Sequence, residues 1–238
     1  MHESLDVLDA AVRERGLLWP ASARGLVLLV HADAASQQHS GHRFIADVLR
    51  ANGLMTLGVT LRPAEEQRMG LPAPGRVQVS HRMRAVFGWI AAQSPPDTLP
   101  IAMLGVDDAV RGCVAAAARN RPAALRSLIL LDGRPDRMSK LLARLSLPTL
   151  MVVGACDARS LDRHRAAIRQ MTAPCRLEVL KKATRPVPEP GAHQAFAHVA
   201  LGWLTRTLWP GPADPGCVPA SGSNPLLPPG SRLASKDC

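Results

Sequence analysis

The sequence predicts an α/β domain built on a mostly parallel, doubly wound sheet with helices on both faces. Strand-length apolar runs alternate with helical segments along most of the chain, the pattern that parallel crossover units require. Runs such as Leu26 to Val30 are continuously apolar, which suits strands buried on both sides. The segments between them carry apolar residues at helical spacing, as Phe44, Ile45, Val48 and Leu49 do.

In chain order, Leu5 to Leu8 and Val12 to Trp19 are short strand-like pieces suited to a hairpin at a sheet edge. Leu26 to Val30 is a strand, followed by a polar loop and a helix over Gly41 to Asn52, with Gly53 as its C-terminal cap. Leu54 to Thr60 is the next strand. Arg62 to Val79, rich in proline and glycine, reads as a long connection of the kind that covers a site. Ser80 to Ala92 is a helix with Met83, Val86, Phe87 and Ile90 inward. Strands at Pro100–Leu104, Leu125–Leu131, Pro148–Val153 and Cys175–Leu180 then alternate with helices at Asp108–Arg119, Met138–Leu145, Ser160–Met171 and Ala192–Leu208. The closing helix places Phe196, Val199, Trp203 and Leu204 on one side. Residues 1–209 are expected to form one domain. From Pro210 onward 15 of 29 residues are Pro, Gly or Ser, too few apolar groups for a core, so 210–238 is expected to be a disordered tail.

The chain has 238 residues and a formal net charge of +10, nearly all of it from arginine. The arginines are scattered and aromatic residues are 3%, with no tyrosine, which leaves little to stack on bases and argues against nucleic acid as a partner. No run approaches the roughly 18 apolar residues that span a bilayer, and the acidic start MHESLDVLDA lacks a signal pattern. A cytoplasmic protein with no membrane partner is expected. The five cysteines, Cys113, Cys156, Cys175, Cys217 and Cys238, show no CxxC spacing and are expected to be reduced thiols. No metal site and no cofactor are expected.

Ligands of a doubly wound sheet sit at the carboxyl ends of its strands. Three loops there carry candidate chemistry. Gly105-Val106-Asp107-Asp108-Ala109 joins a strand to a helix, the setting of a G-x-S-x-G nucleophile elbow, with Asp107 at the central position. Gly154-Ala155-Cys156-Asp157 follows a later strand, where an aspartate can orient a histidine. Ala183-Thr184-Arg185-Pro186 follows the last strand, with Arg185 where a base belongs.

On these residues the run from Gly25 to Leu208 resembles the dienelactone-hydrolase-like branch of the α/β-hydrolase family. The resemblance rests on GLVLLVHADAASQQHSGHR, LPIAMLGVDDA, DGRPDRMSKLLARLSLPTLMVVGACD and KKATRPVPEPGA. Gly133-Arg134-Pro135-Asp136 is similar to a stretch of that branch in hydrolases, some of them fused to a phosphoribosyltransferase. The resemblance implies a single α/β-hydrolase-like domain. It places the family serine at Asp107, the family histidine at Arg185 and the family acid at Asp157. It places the oxyanion region at His31 and Ala32, followed by Asp33. His31, Ala32, Asp33 and Asp108 are thereby the expected ligand-binding positions.

An aspartate at the elbow can attack a substrate, as in dehalogenases and epoxide hydrolases of this fold, but hydrolysing the resulting ester needs a base. Arg185 cannot serve, because a guanidinium does not release its proton near neutrality. His193, near the start of the closing helix, is the candidate substitute. His31 reads as a loop anchor, and His39, His42, His81 and His164 read as surface residues. Asp33 either points inward, where it repels a developing negative charge, or faces solvent or caps the helix beginning near Gly41. Cys113 and Cys156 are alternative nucleophiles, with packing as the plainer role. The expected function is a degenerate, non-catalytic or very weakly active hydrolase relative that binds a small molecule or a protein partner. Arg185 is expected to pair with Asp107, Asp157 or both. The rival is an active hydrolase of small esters or lactones.

Overall fold

The structure, a computed structural model, describes Leu8 and residues 22–93, 99–119, 121–181, 183 and 191–210. Six strands form its sheet: β1 (Gly25–Asp33), β2 (Leu54–Arg62), β3 (Ile101–Val106), β4 (Leu125–Leu131), β5 (Thr149–Gly154) and β6 (Cys175–Leu180). They lie in the order β2-β1-β3-β4-β5-β6, and every pairing is parallel. The chain runs outward from β1 to β2, returns to β3 and then continues the other way. The two directions part at the carboxyl ends of β1 and β3, where a doubly wound sheet opens a crevice.

The helices are α1 (Ala34–Gln37), α2 (Ser40–Ala51), α3 (Ala64–Arg68), α4 (Arg76–Gln93), α5 (Val110–Arg119), α6 (Ser139–Leu142), α7 (Ala158–Ile168) and α8 (Ala192–Leu208). Successive side chains of a strand point to opposite faces, and both faces are covered. Leu26, Leu28 and Val30 of β1, with Met103, Leu128, Leu130 and Met151, pack against α4, α5 and α6. Val27 and Leu29, with Leu104, Val106, Ile129 and Val152, pack against α2 and α8. Each fully buried Leu, Ile or Val contributes about 1.5–3 kcal/mol, so the central strands hold the scaffold.

Four local differences from the sequence reading appear. The connection over Arg62–Val79 contains α3, and α4 begins at Arg76 instead of Ser80. This connection is fastened by Arg82, a buried side chain that donates to the Leu61 carbonyl and to Glu66, and by Arg62, which donates to the Leu71 carbonyl. The loop after β1 holds the one-turn helix α1. The helix after β4 opens with a 3₁₀ turn over Pro135–Met138. Leu8 is buried in the core. The rest of the expected edge hairpin and the tail from residue 211 lie outside the described residues. Among the described residues no helix is long and apolar enough to cross a membrane.

The strand-to-helix junction after β3 depends on close approach. A Cβ on Gly105 would lie 2.5 Å from Cys113 Sγ and 3.4 Å from the Val110 backbone. Only a residue without a side chain lets α5 fold back so tightly onto its own strand. Gly105→Ala is therefore expected to destabilise the domain by about 1–3 kcal/mol through overpacking. Cys113→Ala should recover part of that loss, read from urea denaturation midpoints; an unchanged midpoint in the single variant would show that the junction has slack.

Candidate functional site

Asp107 has φ +49° and starts a 3₁₀ turn over Asp107–Ala109 that leads into α5. The left-handed region is costly for most side chains and least so for Gly, Asn and Asp. Its backbone is held from the neighbouring strand end. Asp132, after β4, has φ +56° and Gly133 has φ +80°. A Cβ on Gly133 would lie 2.5 Å from the Asp107 carbonyl and 3.0 Å from Val110. Two adjacent left-handed turns thus interlock at the carboxyl end of β3 and β4.

Asp157 is the N-cap of α7, where its Oδ1 accepts from the Ser160 backbone N–H at 2.8 Å. Its loop is joined to the one after β6 by backbone bonds, Ala155 N–H to the Leu180 carbonyl at 2.9 Å and Cys156 N–H to the Ala183 carbonyl at 3.0 Å. Arg185, and with it the expected ion pair to Asp107 or Asp157, lies outside the described residues. His193 lies in the first turn of α8, with its ring edge-on to Phe44 of α2 at 4.9 Å. Asp33 caps α1, accepting from Ser36 N–H at 2.8 Å. The helix near Gly41 is capped instead by His39, whose Nδ1 accepts from the Gly41 N–H.

Two histidines read as surface residues are buried: His42 is 7% exposed and His164 is fully buried. His42 lies tilted against His31 with ring centroids 4.8 Å apart and planes at 42°, and its Nδ1 meets the Ser36 carbonyl at 2.5 Å. Because a carbonyl only accepts, Nδ1 carries the proton and Nε2 the lone pair. Burial lowers the His42 pKa; the Ser36 bond and Asp107 pull the other way, and His39 adds to the lowering. His31 is pushed down to about 3 by burial and then by His42. His164 sits between the Ser160 carbonyl at 2.8 Å and the Asp132 carbonyl at 3.2 Å, tying α7 to the left-handed turn after β4. Burial lowers its pKa against those two bonds and the Asp136 and Asp157 charges. A pattern was available for both histidines. His42 precedes Ile45 and Leu49, and His164 lies between Ser160 and Ala167, at the helical spacing of buried positions.

Of the five cysteines expected to be reduced, Cys113 and Cys175 are free thiols, but Cys156 is disulfide-bonded, contrary to that expectation, and so is not the free nucleophile envisaged for the acid loop. Burial pushes the Cys113 thiol far up and Cys175 up to about 12. Neither forms a thiolate near neutrality.

A cleft of about 240 Å³ opens beside the elbow on the α4–α5 side of the sheet. Ala32 and Asp108 line it, with Arg76 and Arg111 at its rim and Leu61 and Val79 in its floor. Among the described residues no group of three or more His, Cys, Asp or Glu is placed to hold a metal ion.

The buried histidines set a pH dependence. In the unfolded chain each titrates near 6.5, whereas folded His31, His42 and His164 all titrate lower. Below pH 6.5 the unfolded state therefore binds more protons, and stability falls as pH falls, for His31 down to about 3. The slope is at most about 1.4 kcal/mol per pH unit for each histidine. Urea midpoints measured from pH 7.5 to 4.5 should decline, and His164→Gln should flatten the decline.

No protein-family model matches the chain. Two Mycobacterium tuberculosis proteins that bear a phosphoribosyl transferase name, from strains CDC 1551 and H37Rv, are 30% identical over 213 residues, 89% of this chain. The chain spans about half the length of these curated relatives, 48%. Among solved structures, a dienelactone hydrolase from Anabaena variabilis superposes with a TM-score of 0.71 at 28% identity, covering 80% of this chain and 89% of that one. Est1E from Butyrivibrio proteoclasticus superposes with a TM-score of 0.61 at 14% identity, covering 77% and 90%. With the strand order, the elbow and these superpositions together, the chain carries an α/β-hydrolase fold of the dienelactone-hydrolase-like kind.

Proposed function

We propose that this chain is a ligand-binding α/β-hydrolase relative, non-catalytic or very weakly active, whose cleft takes a small molecule with an anionic group. The observation that carries the reading is the elbow itself. Asp107 keeps the left-handed backbone of a nucleophile position without the serine, while the aspartate in the acid loop is engaged as a helix cap. Neither free thiol offers a substitute, since both are held protonated by burial. Beside the elbow, Arg76 and Arg111 face a cleft with an apolar floor. Paired guanidinium groups recognise carboxylates and phosphates. Ala32 and Asp108 hold the two backbone positions that, in an elbow of this type, face a substrate oxygen.

The second reading is an active hydrolase using Asp107. One observation favours it: His42 is neutral, bears its lone pair on Nε2 and lies within electrostatic range of Asp107.

An ester and lactone panel separates the two. The full-length chain is expected to show no turnover above buffer, and Asp107→Ala and His193→Ala are expected to change nothing. Saturable turnover that disappears in Asp107→Ala or His42→Ala would restore the enzyme reading. General-base loss alone should then lower the rate about 10²–10⁴-fold. For binding, Arg76→Gln and Arg111→Gln are each expected to weaken affinity for a small aromatic carboxylate about tenfold or more, by calorimetry.

A further inference from the structure

The opposite face of the sheet carries a second cavity. It measures about 490 Å³ and lies between α2 and the β1–β2 edge, with His31, Gln37, His42, Arg43, Arg50 and Thr56 in its walls. This volume is in the range of small-molecule sites, about 300–1,000 Å³. It is distinct from the cleft beside the elbow, which lies on the α4–α5 side.

His31 is 3% exposed and His42 is 7% exposed, yet His31 Nδ1 and His42 Nε2 have no hydrogen-bond partner. Leaving such an atom unpaired costs about 1–3 kcal/mol, and native proteins leave few. A histidine kept only for packing uses its N–H, as His164 can with the Ser160 carbonyl at 2.8 Å. The neighbours Leu29 and Ala46 show that apolar side chains fit this wall. The polarity of the imidazole pair therefore calls for an external partner.

The chemistry of that partner follows from the walls. With Nδ1–H of His42 committed to the Ser36 carbonyl, its Nε2 offers only a lone pair. Gln37 Oε1 accepts from Thr60 Oγ1 at 2.8 Å, which leaves the Gln37 amide N–H groups to donate. Gly58 makes room for that amide: a Cβ there would lie 2.7 Å from Gln37 Nε2. The deep end thus pairs acceptors and donors, as hydroxyl groups require. At the solvent end Arg43 and Arg50 stand two turns apart on α2, Arg50 also paired to Asp47 at 3.3 Å. The lining residues include no carboxylate. A cation is disfavoured there and a phosphate is favoured.

From this gradient of groups we propose that the cavity between α2 and the β1–β2 edge is a second binding site, for a small polyhydroxylated anion of the sugar-phosphate class. Its hydroxyls bond His31, His42 and Gln37, and its phosphate meets Arg43 and Arg50. Both unpaired nitrogens are shielded from bulk water, so the wall opens to them only on binding.

The test uses the full chain with glucose 6-phosphate as probe, and glucose and inorganic phosphate as separate arms. Calorimetry reads affinity, and ¹⁵N-histidine NMR reads the ring nitrogens. Saturable binding of glucose 6-phosphate is expected, about tenfold or more tighter than either part alone, with shifts at His31 and His42. The double variant Arg43→Gln/Arg50→Gln, confined to exposed side chains, should weaken binding about tenfold or more without changing the fold. His31→Phe should remove the sugar contribution, leaving the affinity of phosphate alone. The proposal is overturned by no saturable binding of glucose 6-phosphate. It is equally overturned by phosphate binding as tightly as the sugar phosphate, by indifference to the arginine pair, or by loss of binding in Arg111→Gln, which would assign the signal to the cleft.

Discussion

The arrangement around the site depends on a left-handed backbone held at Asp107, at the point where β3 ends and α5 begins. That turn persists because its neighbours are cut to fit it. Gly105 admits Cys113 from the helix, and Gly133 brings the next strand end against the Asp107 carbonyl. His164 fixes the latter turn from below through the Asp132 carbonyl. A backbone in a sparsely populated region costs of order 1–3 kcal/mol and survives only when its surroundings over-determine it. Here the ends of β3 and β4 and the helix α5 packed on them supply that determination, and the mouth of the cleft follows from it.

The same packing decides which protons can move. Each histidine drawn under the strand ends loses its charge to burial. Neutral imidazoles are what base catalysis requires, but a base must also be addressed to a nucleophile. His42 is committed at Nδ1 to Ser36 and tilted against His31, on the α2 side of the sheet. The cleft with Arg76 and Arg111 opens on the α4–α5 side. Asp157, the position that would orient a histidine, is tied to Ser160. Acceptors and cations thus line both faces of the sheet.

Much of the scaffold was legible because its signals are local. Continuous apolar runs marked the buried strands, and helical spacing located α2, α4 and α8, the last with both of its ends. The bounds of α4 and the existence of α3 were not legible, because proline and glycine between residues 62 and 79 suggest irregular chain while Arg82 and Glu66, far apart in sequence, hold it in order. At the site, the elbow was visible from its spacing and small residues. The burial of His42 and His164 was missed for a different reason: a histidine among arginines and glutamines has a polar local context, and only the phase of the helix shows that it faces inward. The role of Asp33 as the cap of α1 was not legible, since a single turn has too few residues to leave a pattern. The disulfide at Cys156 was not expected, because no CxxC spacing marks it in the sequence.

The residue at the elbow also bears on how the turn is sustained. Serine in a left-handed conformation carries strain that a working nucleophile repays with catalysis. Aspartate tolerates that conformation better, because its short polar side chain can bond locally. On the reading proposed above, an aspartate at this position exchanges activity for a better tolerated backbone. This is the usual direction of exchange between stability and activity. The turn itself cannot relax to an ordinary conformation, because Gly105, Gly133 and Val110 are packed on the path it takes. An Asp107 with φ +49° is thus what this packing demands.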